Sequence, residues 1–197
     1  MERKLKPFTA AETLRKRGVL LFSPEEFRRH FGVTLRAAQE FIKDHRGDLF
    51  LKLRNGLYAL RNAPPHELAI ANRLYQPSYV SLEYALAYYR VIPEMVYTVT
   101  SVTPSLTRRF FVDGRGYEYS RIKKEAYTGY RLVSAGGSRV LMATPEKALA
   151  DYGYFMDLKL KSLNERWRVK GLTAKSVLRY ARLFHRPSLV RLLEEIL

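Results

Sequence analysis

Residues 23–60 have the sequence SPEEFRRHFGVTLRAAQEFIKDHRGDLFLKLRNGLYAL, and this segment predicts the fold of the N-terminal part of the chain. Ser23 predicts a helix start, because its side chain can cap free amides and the proline that follows has no amide proton to leave unbonded. Gly32 predicts that this helix is short and ends in a turn. Thr34 predicts the cap of a further helix over residues 35–45.

The helix predicted after the turn is amphipathic. Its apolar residues recur at three- and four-residue spacing, so we expect an inward stripe of Leu35, Ala38, Phe41 and Ile42. The opposite face carries Arg36, Gln39, Glu40 and Lys43. Two helices joined by a tight turn, the second with cations and an amide near its start, are typical of a helix-turn-helix and its recognition helix.

A hairpin is predicted directly after this helix. Residues 49–54 alternate with a period of two, Asn55-Gly56 is the strongest two-residue turn signal, and residues 57–60 return. Alternation predicts that the three leucines of the first strand face the helices and that Phe50, Lys52 and Arg54 face away. Such a hairpin is typical of a wing.

One more helix is predicted upstream of this stretch. Thr9 and Glu12 have the spacing of a capping box and predict a helix that ends near Gly18, followed by a short strand-like link over residues 19–22. The full order predicts a winged helix-turn-helix. The predicted DNA contacts are Thr34, Arg36, Gln39 and Lys43 on the recognition helix and Lys52, Arg54 and Asn55 on the wing. Some winged helices serve only as protein contacts.

The predicted domain boundary lies in residues 61–65, RNAPP, which resist both helix and central strand. We therefore expect a winged-helix domain over residues 1–62 and a larger domain over residues 63–197. In the larger domain the patterns predict an α+β fold with antiparallel strands and terminal helices. The predicted helices are 66–75, 81–89, 144–155, 173–184 and 188–197, and the predicted strands are 96–102, 109–112, 116–119, 130–133 and 139–142.

A second basic surface is predicted near the C-terminus, with Lys175, Arg179, Arg182 and Arg186 at helical spacing. Such a stripe can bind phosphates or an acidic protein, and a solvated helix face is an equally good interpretation. The whole chain carries 35 Lys and Arg against 19 Asp and Glu, a formal net charge of +16, so a polyanion is the expected partner.

The composition also excludes several classes of function. The chain has no cysteine, so it has no disulfide and no thiolate chemistry, and its four histidines lack the spacing of metal ligands. Neither a signal peptide nor a long apolar run is present, and we expect a cytoplasmic protein without membrane contact. Glu146, Lys147 and Asp151 are interpreted as a helix start with surface ion pairs. We expect no enzyme, metal or cofactor.

Five segments carry a resemblance to a known family. They are IANRLY at 70–75, PSYVSLEYAL at 77–86, IPE at 92–94, TSVT at 100–103 and TPEKALAD at 144–151. In order and spacing these segments resemble the AbiEi family of antitoxins, over about residues 10 to 160. The chain departs from the family pattern at Tyr88-Tyr89-Arg90, where relatives often carry a glycine, and its last forty residues match least.

This resemblance implies two functions. The first is repression of the chain's own operon through a winged helix bound to operator DNA. The second is neutralisation of a nucleotidyltransferase toxin by the C-terminal domain, directly or indirectly, in a type IV toxin-antitoxin system. A winged-helix transcription regulator whose second domain senses a ligand or a protein is the alternative that the residues leave open.

Overall fold

The computed structural model describes residues 5–164 and 166–197, so residues 1–4 of the predicted first domain lie outside it. The chain is a mixed α and β protein that divides into two compact units, an N-terminal unit up to His66 and a C-terminal unit from Glu67 to Leu197. None of the described helices has the length and apolar character that crossing a bilayer requires.

The N-terminal unit consists of three helices and a small antiparallel sheet among its described residues. Its elements are α1 (Pro7–Lys16), β1 (Leu21–Phe22), α2 (Pro24–Phe31), α3 (Leu35–Asp44), β2 (Phe50–Arg54) and β3 (Leu57–Leu60). The strand order is β1-β3-β2, with both pairs antiparallel. Asn55 and Gly56 form the turn between β2 and β3, and Gly56 has a φ of 73°, which glycine adopts without strain.

The start signals of α2 and α3 are confirmed, whereas that of α1 is wrong. The Ser23 hydroxyl accepts a hydrogen bond from the Glu26 amide, and the Ser23 amide donates to the Glu26 carboxylate, which together form a complete capping box. Helix α1 begins earlier than predicted, at Pro7, so Thr9 lies inside its first turn and caps nothing. Proline is favoured at the first helical position because it has no amide proton to leave unbonded, and here it starts the helix without a side-chain cap.

The core of the N-terminal unit corrects two predicted orientations. Phe50 is fully buried and packs against Phe22 and Phe27 at ring-centroid distances of 5.2 and 6.0 Å. The register of β2 shifts between Lys52 and Arg54, so strict alternation fails there and Phe50 and Leu53 are both buried. Leu35, predicted to face inward, is 41% exposed, because the first turn of α3 extends beyond the core.

The C-terminal unit contains a six-stranded sheet and five α-helices among its described residues. The helices are α4 (Glu67–Leu74), α5 (Leu82–Tyr88), α6 (Pro145–Asp157), α7 (Ala174–Arg182) and α8 (Pro187–Ile196). The strands are β4 (Tyr79–Val80), β5 (Val99–Thr103), β6 (Arg108–Val112), β7 (Arg115–Arg121), β8 (Tyr130–Ala135) and β9 (Ser138–Ala143). A short 3-10 helix, Lys124–Ala126, lies between β7 and β8.

The predicted antiparallel strands are present in the β6–β7 and β8–β9 hairpins, but the sheet as a whole is mixed. Its strand order is β6-β7-β5-β4-β9-β8, and the β5–β7 and β4–β9 pairs are parallel. The β6–β7 hairpin places its second strand beside β5, which makes that contact parallel. Strand β4 has only two residues, too few for an alternating pattern, and it was not predicted from the sequence.

Helix α6 is the buried centre of the C-terminal helices. Helices α5, α7 and α8 all pack against it. At Gly153 a Cβ atom would lie 2.9 Å from a methyl carbon of Leu193, so the absence of a side chain allows α8 to approach closely. This packing explains why most of α6 is buried, including residues that a surface helix would expose.

Candidate nucleic-acid interface

Helix α3 presents one polar face to solvent. Thr34 holds its first turn by accepting a hydrogen bond from the Ala37 amide at 3.2 Å. Ala38 and Ile42 are buried in the core of the unit. The side chains that point away from this core are all exposed and are Arg36, Gln39, Glu40 and Lys43. The helix is thus anchored on one side and open to a partner on the other.

The cation nearest the start of α3 is paired within its own helix. The Arg36 side chain is 88% exposed, and its Nε donates to Glu40 at 2.9 Å. That hydrogen bond raises the pKa of Arg36 above its ordinary value. A guanidinium has five N–H donors, and an exposed ion pair is weak. Arg36 can therefore exchange Glu40 for a phosphate or a base edge.

The turn between β2 and β3 provides a second exposed polar group. Lys52, Arg54 and Asn55 are all exposed. Arg54 Nη1 donates to the Asn55 carbonyl oxygen at 2.9 Å, which holds the arginine against the turn. All seven predicted DNA contacts therefore lie on the surface of the N-terminal unit, four at α3 and three at the hairpin turn.

The second basic surface is smaller than the sequence indicated. Lys175, Arg179 and Arg182 are exposed on α7, opposite a buried side that includes Val177 and Ala181. Arg186 does not belong to this face, because α7 ends at Arg182 and Arg186 is the N-cap residue of α8. Its guanidinium pairs instead with Asp157 at the end of α6. The prediction for Arg186 was wrong because it extended the helical spacing past the end of α7.

Lys147 and Asp151 are buried, and their interpretation as surface pairs is wrong. Both side chains are fully inaccessible and form an ion pair within α6. Asp151 also accepts hydrogen bonds from the hydroxyls of Tyr79 and Ser81, at 3.1 and 2.8 Å. Burial raises the pKa of Asp151, and its three donors oppose that rise. The sequence showed only an i, i+4 charge pair, and its burial follows from the packing around α6.

The buried cluster of Lys147, Asp151, Tyr79 and Ser81 connects several elements of the C-terminal unit. Lys147 Nζ lies 4.8 Å from the ring centroid of Phe184, and the Tyr79 ring stacks on Tyr130 at 4.6 Å. The cluster thereby joins α6, β4 and the start of β8. In the part of the chain that the structure describes, His, Asp and Glu side chains form no group of three or more able to hold a metal ion.

No protein-family model matches this chain, and none of the curated proteins compared with it does either.

Proposed function

We propose that the chain is a DNA-binding transcriptional repressor whose N-terminal unit acts as a winged helix-turn-helix. One observation carries the proposal: the order α1-β1-α2-α3-β2-β3 with an exposed polar face on α3 and exposed cations at the β2–β3 turn. Helix-turn-helix proteins insert the second helix into the major groove, and a hairpin beside it contacts the DNA backbone. The net charge of +16 supplies long-range attraction to DNA.

In this proposal the side chains have different tasks. Arg36 and Gln39 read base edges, since arginine recognises guanine and glutamine recognises adenine through paired hydrogen bonds. Lys43 contacts a base or a phosphate farther along the groove. Lys52, Arg54 and Asn55 contact phosphates, and these contacts position the protein without selecting a sequence.

We further propose an antitoxin role for the C-terminal unit. The resemblance to AbiEi antitoxins supports this role and implies that the DNA bound is the chain's own operator. Neutralisation then acts on a nucleotidyltransferase toxin encoded beside the chain, by contact or through a shared target, in the cytoplasm. In this proposal the protein catalyses no reaction and needs no cofactor.

The DNA-binding proposal is tested by fluorescence anisotropy with the chain's own upstream DNA and a scrambled duplex at several salt concentrations. Arg36→Ala should weaken binding to the upstream DNA by about 1 to 3 kcal/mol and reduce its preference over the scrambled duplex. Lys52→Ala should weaken binding to both duplexes and lower the salt slope by about one.

Lys16→Ala is the matched control for this experiment. Lys16 is 69% exposed and pairs with Glu12 on α1, away from the predicted contacts. Its loss should leave selectivity unchanged. Unchanged affinity of both Arg36→Ala and Lys43→Ala would show that α3 is not the recognition helix. Equal binding of both duplexes by the wild-type chain would contradict an operator-specific repressor.

The antitoxin proposal needs a separate assay. Co-expression of the chain with the nucleotidyltransferase encoded beside it should restore growth, and the Arg36→Ala/Lys43→Ala variant should restore growth equally well, because neutralisation does not require operator binding. Failure of the wild-type chain to restore growth would contradict an antitoxin. In that case a regulator with a sensing C-terminal unit becomes the better explanation.

A further inference from the structure

A groove on the N-terminal unit lies between α1 and the segment that joins α2 to α3. Its volume is about 1130 Å³. One wall is a single face of α1, formed by Lys6, Thr9, Thr13 and Arg17, which follow one another at three- and four-residue steps. The opposite wall includes Thr34, the residue that caps α3. We call this feature the α1 groove.

The walls of the α1 groove carry hydrogen-bond donors and positive charge. Lys6, Thr9 and Arg17 are exposed. Thr13 donates its hydroxyl proton to the Thr9 carbonyl oxygen at 2.7 Å, so the donors on this face are the other three side chains. Arg17 Nη1 donates to the His30 carbonyl oxygen at 3.1 Å, which fixes the guanidinium at one end of the groove.

The charged side chains of the α1 groove favour an anionic ligand. Among the described residues that line it, none is Asp or Glu. A concave surface of the C-terminal unit differs in this respect, because Glu83, Glu94 and Glu118 line it and Lys161 is the cation beside them. Cations and hydroxyls without a carboxylate form the donor set that contacts phosphate oxygens in protein–DNA complexes. The α1 groove therefore suits an anion.

We propose that the α1 groove holds the phosphate backbone of DNA, with Lys6 and Arg17 as phosphate contacts and Thr9 between them. This inference rests on the proposed function, because it extends the interface of α3 across Thr34 to the face of α1. Lys6 and Arg17 lie at the two ends of α1, about 16 Å apart along its axis. Successive phosphates of one strand rise by about 3.4 Å, so this face spans more than one phosphate.

The experiment is a salt titration of DNA binding by the full chain, with its own upstream DNA and a scrambled duplex as probes. Each phosphate contact releases about one counterion, and affinity falls as salt rises. Lys6→Ala and Arg17→Ala should therefore each reduce the magnitude of the negative slope of log affinity against log salt by about one. The double variant should lower it by about two. Each single variant should weaken binding to both duplexes by the same factor, about three- to tenfold at low salt.

Two further variants separate charge from structure. Arg17→Lys loses the guanidinium bond to His30 but keeps the cation, so its salt slope should stay near that of the wild type. Lys16→Ala removes an exposed cation of the same helix that does not line the groove, and its slope should be unchanged. Thermal unfolding of each variant, followed by circular dichroism, checks that α1 remains folded.

The outcomes distinguish this inference from the proposed function. If Arg36→Ala alters binding while the Lys6→Ala/Arg17→Ala double variant keeps the wild-type slope, the α1 groove does not bind the backbone and the repressor proposal stands. A slope that falls equally for Lys16→Ala would also overturn the groove, because the effect would then be one of overall charge. If the wild-type chain binds neither duplex, both proposals are wrong.

Discussion

Among the single residues, Lys147 and Asp151 in α6 form an ion pair whose burial has a high cost in free energy. Lys147 and Asp151 are fully enclosed, and the hydroxyls of Tyr79 and Ser81 complete the hydrogen bonding of the carboxylate. Taking two charges out of water is costly, and their attraction offsets that cost only while both partners are present. Loss of one partner therefore does more harm than loss of both charges.

We expect Lys147→Met to reduce the free energy of unfolding by about 3 to 5 kcal/mol, because it leaves Asp151 buried without a counter-charge. The Lys147→Met/Asp151→Asn variant should recover part of this loss, since the amide oxygen of asparagine still accepts from Ser81 and Tyr79. Urea unfolding followed by Trp167 fluorescence measures both values. A double variant less stable than Lys147→Met alone would show that the charges are not the source of the loss.

At the scale of elements, the capping of α1 and α2 gives a matched pair of tests. Ser23 forms both bonds of a capping box at the start of α2, whereas Thr9 lies inside α1. Ser23→Ala should cost about 1 kcal/mol, because it leaves helix amides unbonded. Thr9→Ala should change stability by less than about 0.5 kcal/mol, since alanine favours a helix interior. Thermal unfolding followed by circular dichroism compares them, and an equal loss for both would contradict the position of the α1 start.

The contact between the end of α6 and the start of α8 should make stability depend on pH. Burial alone would raise the pKa of Asp157, but bonds from Arg186 and Ser188 outweigh it and hold that pKa below its ordinary value. A lowered pKa means that the folded state favours the charged carboxylate. The stabilisation is therefore complete at pH values above the ordinary range for aspartate, near 4, and is lost as the pH falls through the lowered value.

Asp157→Asn tests this contact. At pH 6 to 7 the variant should be less stable than the wild type by about 1 to 2 kcal/mol, a value reduced for the partial exposure of Arg186. The difference should shrink as the pH is lowered below about 4. Urea unfolding at a series of pH values measures it. A difference that stays constant from pH 7 to pH 3 would show that the charge of Asp157 contributes nothing.

At the scale of the whole molecule, the two compact units should respond separately to a core substitution. The only tryptophan of the chain, Trp167, belongs to the C-terminal unit, so its fluorescence reports that unit. Phe27 is fully buried in the N-terminal core. We expect Phe27→Ala to cost about 3 to 5 kcal/mol in the N-terminal unit and to abolish selective DNA binding.

The same variant should leave the thermal transition of Trp167 fluorescence unchanged. Phe184→Ala is the reciprocal control, because Phe184 is buried against Lys147 and Tyr154 in the C-terminal unit and its loss should lower the fluorescence transition. A shift of the Trp167 transition in Phe27→Ala would show that the two units unfold as one.

Features that depend on residues close together along the chain could be predicted from the amino-acid sequence. Ser23 and Thr34 predicted the starts of two helices, because a cap bonds an amide only three residues away. The surface position of the predicted contacts on α3 follows from its amphipathic spacing in the same way. The Asn55-Gly56 turn is likewise a local preference of the backbone.

Features that depend on residues far apart along the chain became visible only in the folded protein. Asp151 is buried because Tyr79 and Ser81 come to it from some 70 residues away, and no local pattern records such a contact. Phe50 faces the core, where it packs against the rings of Phe22 and Phe27 from other elements. The α1 groove exists because the α1 face meets the residues around Thr34. Sheet neighbours and burial arise from packing, in which each residue's environment is supplied by elements elsewhere in the chain.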